Sequence, residues 1–240
     1  MQTQDVIRAA IAEFGPSLAV LTSFQREGIV ITDMVMQTDA SIPILTIDTG
    51  RLPTATHRMI HAVEERYGIT VERIQPDEAE VSSMVSSHGR NLFYDSVAQR
   101  MLCCNVRKVR PLARRMAGVG AYFVGLRREQ GGERAGIEEF DRSGPQVKVS
   151  PLAGWTAADV ERYTRDRDLP VHELYAEGYT SIGCDPCTRA VALGESERAG
   201  RWWWEDEANK ECGLHFTADG RAERTVDVLL RDVLTRSVAA

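Results

Sequence analysis

The sequence predicts an α/β fold, a mostly parallel sheet with helices on both faces, and three observations carry that prediction. Short apolar runs recur with helix-length segments between them. Most of these runs end in a polar or glycine-containing turn. None approaches the roughly 18 apolar residues of a membrane-spanning helix. At 240 residues, 43% hydrophobic and 27% charged, the chain has the composition of an ordinary globular protein and the length of one large domain.

The first run, Leu18-Ala-Val-Leu21, follows Gly15-Pro16 and reads as a buried strand. Ile42-Pro-Ile-Leu-Thr-Ile47 is the second and ends at Asp48-Thr49-Gly50. A helix comes next: Pro53 precedes it, Ile60, Val63 and Tyr67 share a face, and Gly68 closes it. Thr70–Ile74 is a weaker third strand, and Ala121-Tyr-Phe-Val124, stopped by Gly125, a fourth. Thr156-Ala-Ala-Asp159 is a capping box opening a helix that runs towards Pro170. No repeat or low-complexity linker interrupts the chain. The expectation is one domain over residues 1–240, with an α/β core over about 1–177. From about Gly178 the Cys, Gly, Trp and Arg positions of the C-terminal segment, 178–240, look like a site rather than a core.

A net charge of −6 makes no case for nucleic-acid or membrane binding, and the first residues lack the basic flank and apolar stretch of a signal peptide. Five cysteines, an odd number without secretory context, argue against a disulfide framework and for a reducing cytoplasm. Lysine occurs only at 108, 148 and 210. Between Cys103 and Arg134 eight basic residues face two acidic ones, which suits a small anion or, equally, a solvated helix face.

Ligands of open α/β sheets sit beyond the carboxyl ends of the strands. Three turns fall there: Thr22–Gly28 with Ser23, Asp48–Leu52 with Asp48, Thr49 and Arg51, and Gly125–Gln130 with Arg127 and Arg128. None is a Walker loop or a dinucleotide fingerprint, because the required glycines are missing.

Cys103-Cys104 and Cys184-Asp-Pro-Cys187 offer four soft ligands for tetrahedral zinc or an iron–sulfur cluster. Neighbouring residues seldom converge on one small ion, so the adjacent pair favours a cluster. Without the second pair, buried small hydrophobes would be the simpler reading. Cys212, in Lys210-Glu-Cys-Gly-Leu-His215, is either a nucleophile in a cationic neighbourhood or a surface thiol. Arg198 and Arg201 stand three residues apart and face one way on a helical turn. Trp202, Trp203 and Trp204 cannot all share one buried face, so at least one lines a cleft or packs a moving segment.

Taken in order, these motifs resemble the iron–sulfur-containing assimilatory adenylylsulfate (APS) reductases of the phosphosulfate reductase family. The match runs from about Ser23 to His215. It comprises Asp48-Thr-Gly-Arg-Leu52, Cys103-Cys-Asn-Val-Arg-Lys-Val109, Gly125-Leu-Arg-Arg-Glu-Gln130, Pro151-Leu-Ala-Gly-Trp-Thr156, Gly178–Cys187, Gly194-Glu195, Arg198-Ala-Gly-Arg-Trp-Trp-Trp204 and Lys210–His215. The resemblance implies an adenine-nucleotide α-hydrolase-like fold related to the ATP pyrophosphatases, with Ser23-Phe-Gln-Arg-Glu27 in place of their glycine-rich loop.

It further implies thiol-dependent reduction of APS to sulfite and AMP in sulfate assimilation. Cys212 would be the nucleophile and carry an S-sulfocysteine, which a thioredoxin or glutaredoxin-like thiol discharges. Lys108, Arg198, Arg201 and His215 would stabilise the reacting anion. Ser23, Asp48, Thr49, Arg51 and Arg127 or Arg128 would bind the nucleotide. Cys103, Cys104, Cys184 and Cys187 would hold a 4Fe–4S cluster with an electrostatic and structural role. The alternatives are a phosphoadenylylsulfate (PAPS) reductase of identical chemistry, an ATP-using RNA-thiolating enzyme, and a zinc-stabilised interaction module. Assembly into a homo-oligomer is left open by the sequence.

Overall fold

The computed structural model describes residues 2–131 and 134–205, and the backbone of two short paired strands, His215–Phe216 and Ala222–Glu223. Six strands form one sheet: β1 (Leu18–Leu21), β2 (Ile44–Ile47), β3 (Glu72–Ile74), β4 (Ala121–Phe123), β5 (Phe140–Asp141) and β6 (Val147–Val149). Their order is β3-β2-β1-β4-β6-β5, and every pairing is parallel except β5 with β6. The chain winds outwards from β1 to β3, then returns to place β4 on the other side of β1. That reversal opens a crevice between the ends of β1 and β4.

The strands are short and apolar because both faces are covered. Leu18 and Val20 point into the larger core with Ile44, Ala121, Phe123 and Val149. Ala19, Leu45 and Tyr122, one residue out of step, join Leu112 and Met116 on the opposite face. The second strand begins at Ile44 rather than Ile42. Pro43 has no N–H to give and contributes only its carbonyl, which accepts from Val20 N at 2.9 Å.

The larger core packs under α1 (Thr3–Phe14), α2 (Arg26–Thr38), α3 (Thr54–Tyr67) and α7 (Ala157–Asp166). Ile60 and Val63 of α3 are fully buried, and Gly68 ends the helix in the left-handed conformation at φ 63°. The capping box forms as read: Thr156 Oγ1 accepts from Asp159 N at 3.1 Å, and Asp159 accepts from Thr156 N at 2.9 Å. The helix stops at Asp166, short of Pro170. Buried Asp33 ties three helices together, accepting from the Tyr67 and Tyr163 hydroxyls at 2.8 Å each. Burial, reinforced by that carboxylate, pushes the Tyr163 phenol up to about 12.

Between β3 and β4 lie α4 (Glu78–His88), α5 (Val97–Cys104) and α6 (Arg110–Met116). A π-helical turn over Asn105–Val109 joins α5 to α6. Such a wider turn re-aims the side chains that follow it and is a frequent companion of functional sites. Here it carries Arg107 and Lys108.

Candidate active site

A cleft of about 1090 Å³ opens beyond the carboxyl ends of β1, β2 and β4. Its floor comes from the turn after β1, where Phe24 is held at φ 55°. A side chain in that left-handed region costs of order 1–2 kcal/mol, and complete burial of the Phe24 ring offsets it. The Phe24 N–H donates to Thr22 Oγ1 at 2.9 Å, which presents Ser23 and Gln25 to the cleft. The Gln25 amide then bridges two segments, donating to Ser23 Oγ and accepting from Ile182 N, each at 2.9 Å.

The second wall is the turn after β2. Asp48 is buried behind it and accepts from Gly50 N at 3.0 Å, so its carboxylate shapes the turn, whereas Thr49 and Arg51 line the cleft. Thr49 Oγ1 lies 3.2 Å from Cys184 Sγ, and Arg51 O accepts from Asp185 N at 2.8 Å. The Cys184–Cys187 loop therefore docks on this turn. Tyr94 holds it from another side, donating to Pro186 O at 2.9 Å.

All four cysteines of the two pairs line the cleft outside any disulfide, packed with Leu92, Phe93, Val106 and Trp202. Burial pushes the Cys187 thiol well up, and Cys184, Cys104 and Cys103 add to the effect. Burial likewise raises Cys103, against the pull of the Arg107 guanidinium. Among the described residues, no three Cys, His, Asp or Glu side chains are spaced to hold a single metal ion.

Cations line the same cleft. Lys108 reaches the cleft from the π-helical turn, and Arg198 and Arg201 from the segment after the cysteine loop. That segment is locked in place: Thr188 and Arg201 form an antiparallel bridge, and Trp202 N donates to Cys187 O at 3.1 Å. Gly200 is required there, since a Cβ would lie 2.2 Å from the backbone oxygen of Arg189. Gly200→Ala is expected to destabilise by about 1–3 kcal/mol and to displace both arginines. Thermal unfolding and nucleotide affinity measured together would reveal this, and an unchanged pair of values would refute it. Trp202, at φ 42°, is buried and contacted by both Arg100 and Arg201, whose guanidinium carbons lie 4.4 and 4.8 Å from its ring centroid. Trp203 is exposed and packs edge-on against Tyr94. The three tryptophans divide as their adjacency required.

Ser23, Thr49, Arg51, Lys108, Arg198, Arg201 and the four cysteines thus meet in one cleft. Arg127 and Arg128 are placed elsewhere. Arg127 is buried and donates to Glu27 at 2.9 Å and to Glu129, while Arg128 donates to Ile137 O at 2.8 Å. Neither lines the cleft. Cys212 lies outside the described residues, as does the His215 side chain. Arg107 and Gln25 also line the cleft from within quoted motifs that gave them no role, and Arg100 lines it from outside any motif.

The comparisons with known proteins bear on this arrangement. Residues 17–190 match the phosphoadenosine phosphosulfate reductase domain. The chain belongs to that family. It is 46% identical over 215 residues to an adenosine 5′-phosphosulfate reductase of Burkholderia cepacia, covering 89% of this chain and 86% of that one. A namesake from Allochromatium vinosum is 45% identical over 83% of this chain and 78% of its own. Among solved structures, a PAPS reductase from Candida auris in a phosphate complex superposes with a TM-score of 0.65 at 28% identity, over 80% of this chain and 91% of that one. An FMN adenylyltransferase of Candida glabrata, 13% identical with a TM-score of 0.55 over 98% of this chain and 78% of that one, shares the fold. No described helix is long and apolar enough to cross a membrane.

Proposed function

We propose that the protein reduces adenosine 5′-phosphosulfate to sulfite and AMP with electrons from a dithiol protein. The observation that carries this reading is the meeting of Lys108, Arg198 and Arg201 with four cysteines in one nucleotide-sized cleft. Relatives named as adenosine 5′-phosphosulfate reductases, 45–46% identical over most of the chain, support APS over PAPS.

In this reading the Cys212 thiolate attacks the sulfur of the phosphosulfate. An S–S bond forms, the bond from sulfur to the bridging oxygen breaks, and AMP leaves with that electron pair. A thiol of a thioredoxin-like partner then attacks the Cys212 sulfur and expels sulfite. Its second thiol resolves the mixed disulfide, so the dithiol loses two electrons and sulfate-level sulfur gains them. A thiolate approaching a dianionic group is repelled, and Lys108, Arg198 and Arg201 offset the repulsion where charge collects. His215, three residues after Cys212 in the sequence, would join this set, and Ser23, Thr49 and Arg51 would hold the nucleotide while Asp48 fixes the turn of Thr49 and Arg51.

The four thiols fit an iron–sulfur group, because a 4Fe–4S cluster takes four thiolates at separate iron corners. Cys103, Cys104, Cys184 and Cys187 would hold it. When bound, it supplies a fixed charge and a structural tie between the cysteine helix and the cysteine loop. Charge-transfer absorption with matching iron and sulfide analysis, against a content of one zinc, tests the assignment.

The decisive experiment mixes the purified protein with APS and no reductant and measures intact mass. One added sulfonate, mapped to Cys212 and removed by thioredoxin with release of sulfite, is the expected result. Sulfite formation without such an adduct would overturn the mechanism.

A further inference from the structure

We propose that the pocket behind the Asp48–Leu52 turn is a second binding site, for a small divalent oxyanion such as sulfate or phosphate. It has a volume of about 280 Å³, about a quarter of the main cleft. Three arginines, Arg51, Arg90 and Arg107, line it together with Ser82, and its walls carry no carboxylate.

Three arginines on the wall of one small space give it a positive charge that an anion would offset, although exposed Arg90 is partly screened by water. Elsewhere the protein pairs its arginines with acids. Glu80, on the same helix as Ser82, accepts instead from Arg110 and Arg114 at 3.0 Å each. Among the described residues no carboxylate pairs with Arg51, Arg90 or Arg107. Two of these side chains are nevertheless fixed. Arg51 donates to Arg90 O at 2.8 Å and to Asn91 Oδ1 at 3.0 Å, and Arg107 donates to Thr49 O at 2.9 Å. These neutral acceptors orient the forks, and Arg107 also faces the Cys103 thiol. The Arg107 Nε is buried with no hydrogen-bond partner, so this guanidinium is not fully satisfied by its surroundings. A tetrahedral oxyanion presents the oxygen pairs that guanidinium forks bind two at a time.

Arg51 and Arg107 also line the main cleft, so the two cavities share a charged wall. Arg90 and Ser82 line only the smaller one, which makes Arg90 the residue to test.

Sodium sulfate, sodium phosphate and sodium sulfite are each titrated calorimetrically into the full-length protein saturated with AMP, against sodium chloride at matched ionic strength. One saturable equivalent of oxyanion is expected with AMP in place. Arg90→Gln is expected to weaken it about tenfold and Arg90→Lys much less, while AMP affinity stays within about twofold of wild type. Strict competition between oxyanion and AMP, or equal oxyanion affinity in wild type and Arg90→Gln, would overturn the proposal. The inference rests on the nucleotide reading only in using AMP to fill the cleft. Should AMP fail to bind, that failure falls on the nucleotide reading, and wild type against Arg90→Gln without AMP still decides the oxyanion site.

Discussion

Cys212→Ser is expected to lower the rate of sulfite formation by about 10⁴-fold or more, while AMP and APS bind as tightly as to wild type. A thiol reaches its anionic form near neutral pH and is intrinsically nucleophilic, and a serine hydroxyl has neither property. Even a rare attack through oxygen would leave a sulfate ester whose sulfur a thiol reductant does not release. Nucleotide affinity is spared because the binding groups argued for, Ser23, Thr49 and Arg51, sit on the turns after β1 and β2. The measurement is sulfite production with saturating thioredoxin beside equilibrium AMP binding. A serine variant that keeps a tenth of the activity would remove Cys212 from the chemistry, and one that loses AMP affinity in parallel would make it a structural residue.

The second large effect concerns a buried ion pair. Arg100 on α5 donates to Glu205 at 2.7 Å, and both side chains are almost wholly buried, at 1% and 3% exposure. Arg100 also stacks on Trp202, and α5 ends in Cys103 and Cys104. One contact therefore joins the helix bearing two of the cysteines to the segment bearing Arg198 and Arg201. Removing one partner leaves a charge in the interior, which typically costs 3–5 kcal/mol. Arg100→Met and Glu205→Leu should each lower the melting temperature by roughly 6–20 °C and reduce nucleotide affinity. The double variant should recover part of the loss, because neither member of this pair is then left in the interior without the other. Thermal unfolding of the three variants checks this. Single variants within 1 °C of wild type, or a double variant as damaged as the sum of the singles, would show that the pair does not act as a unit.

Much of the fold was legible locally. Leu18–Leu21 could be recognised as a strand because burial on both faces demands an unbroken apolar run. The helix over Thr54–Tyr67 announced itself through Pro53, Gly68 and its apolar face. The strand Val147–Val149 did not, being three residues long with Lys148 in the middle, where it pairs with Asp141 at 3.3 Å. Its place in the sheet depends on β4 and on the turn back from β5, and neither is visible in three residues.

The site divides in the same way. Strand ends and spacing picked out the turns that carry Ser23, Thr49 and Arg51, the Arg198–Arg201 pair and the two cysteine pairs, and the family resemblance gave Lys108 and the binding residues their roles. Density of arginine, however, says nothing about what each guanidinium meets. Arg127 is claimed by Glu27, one hundred residues away, and Arg100 by Glu205, 105 residues away. Arg107 owes its place on two cavity walls to a π-helical turn that leaves no mark on composition. Chemistry carried by neighbouring residues is written in the chain. Which charges are neutralised and which are left to hold an anion is decided by packing, because a Coulomb partner is chosen by distance in space and the sequence records only distance along the backbone.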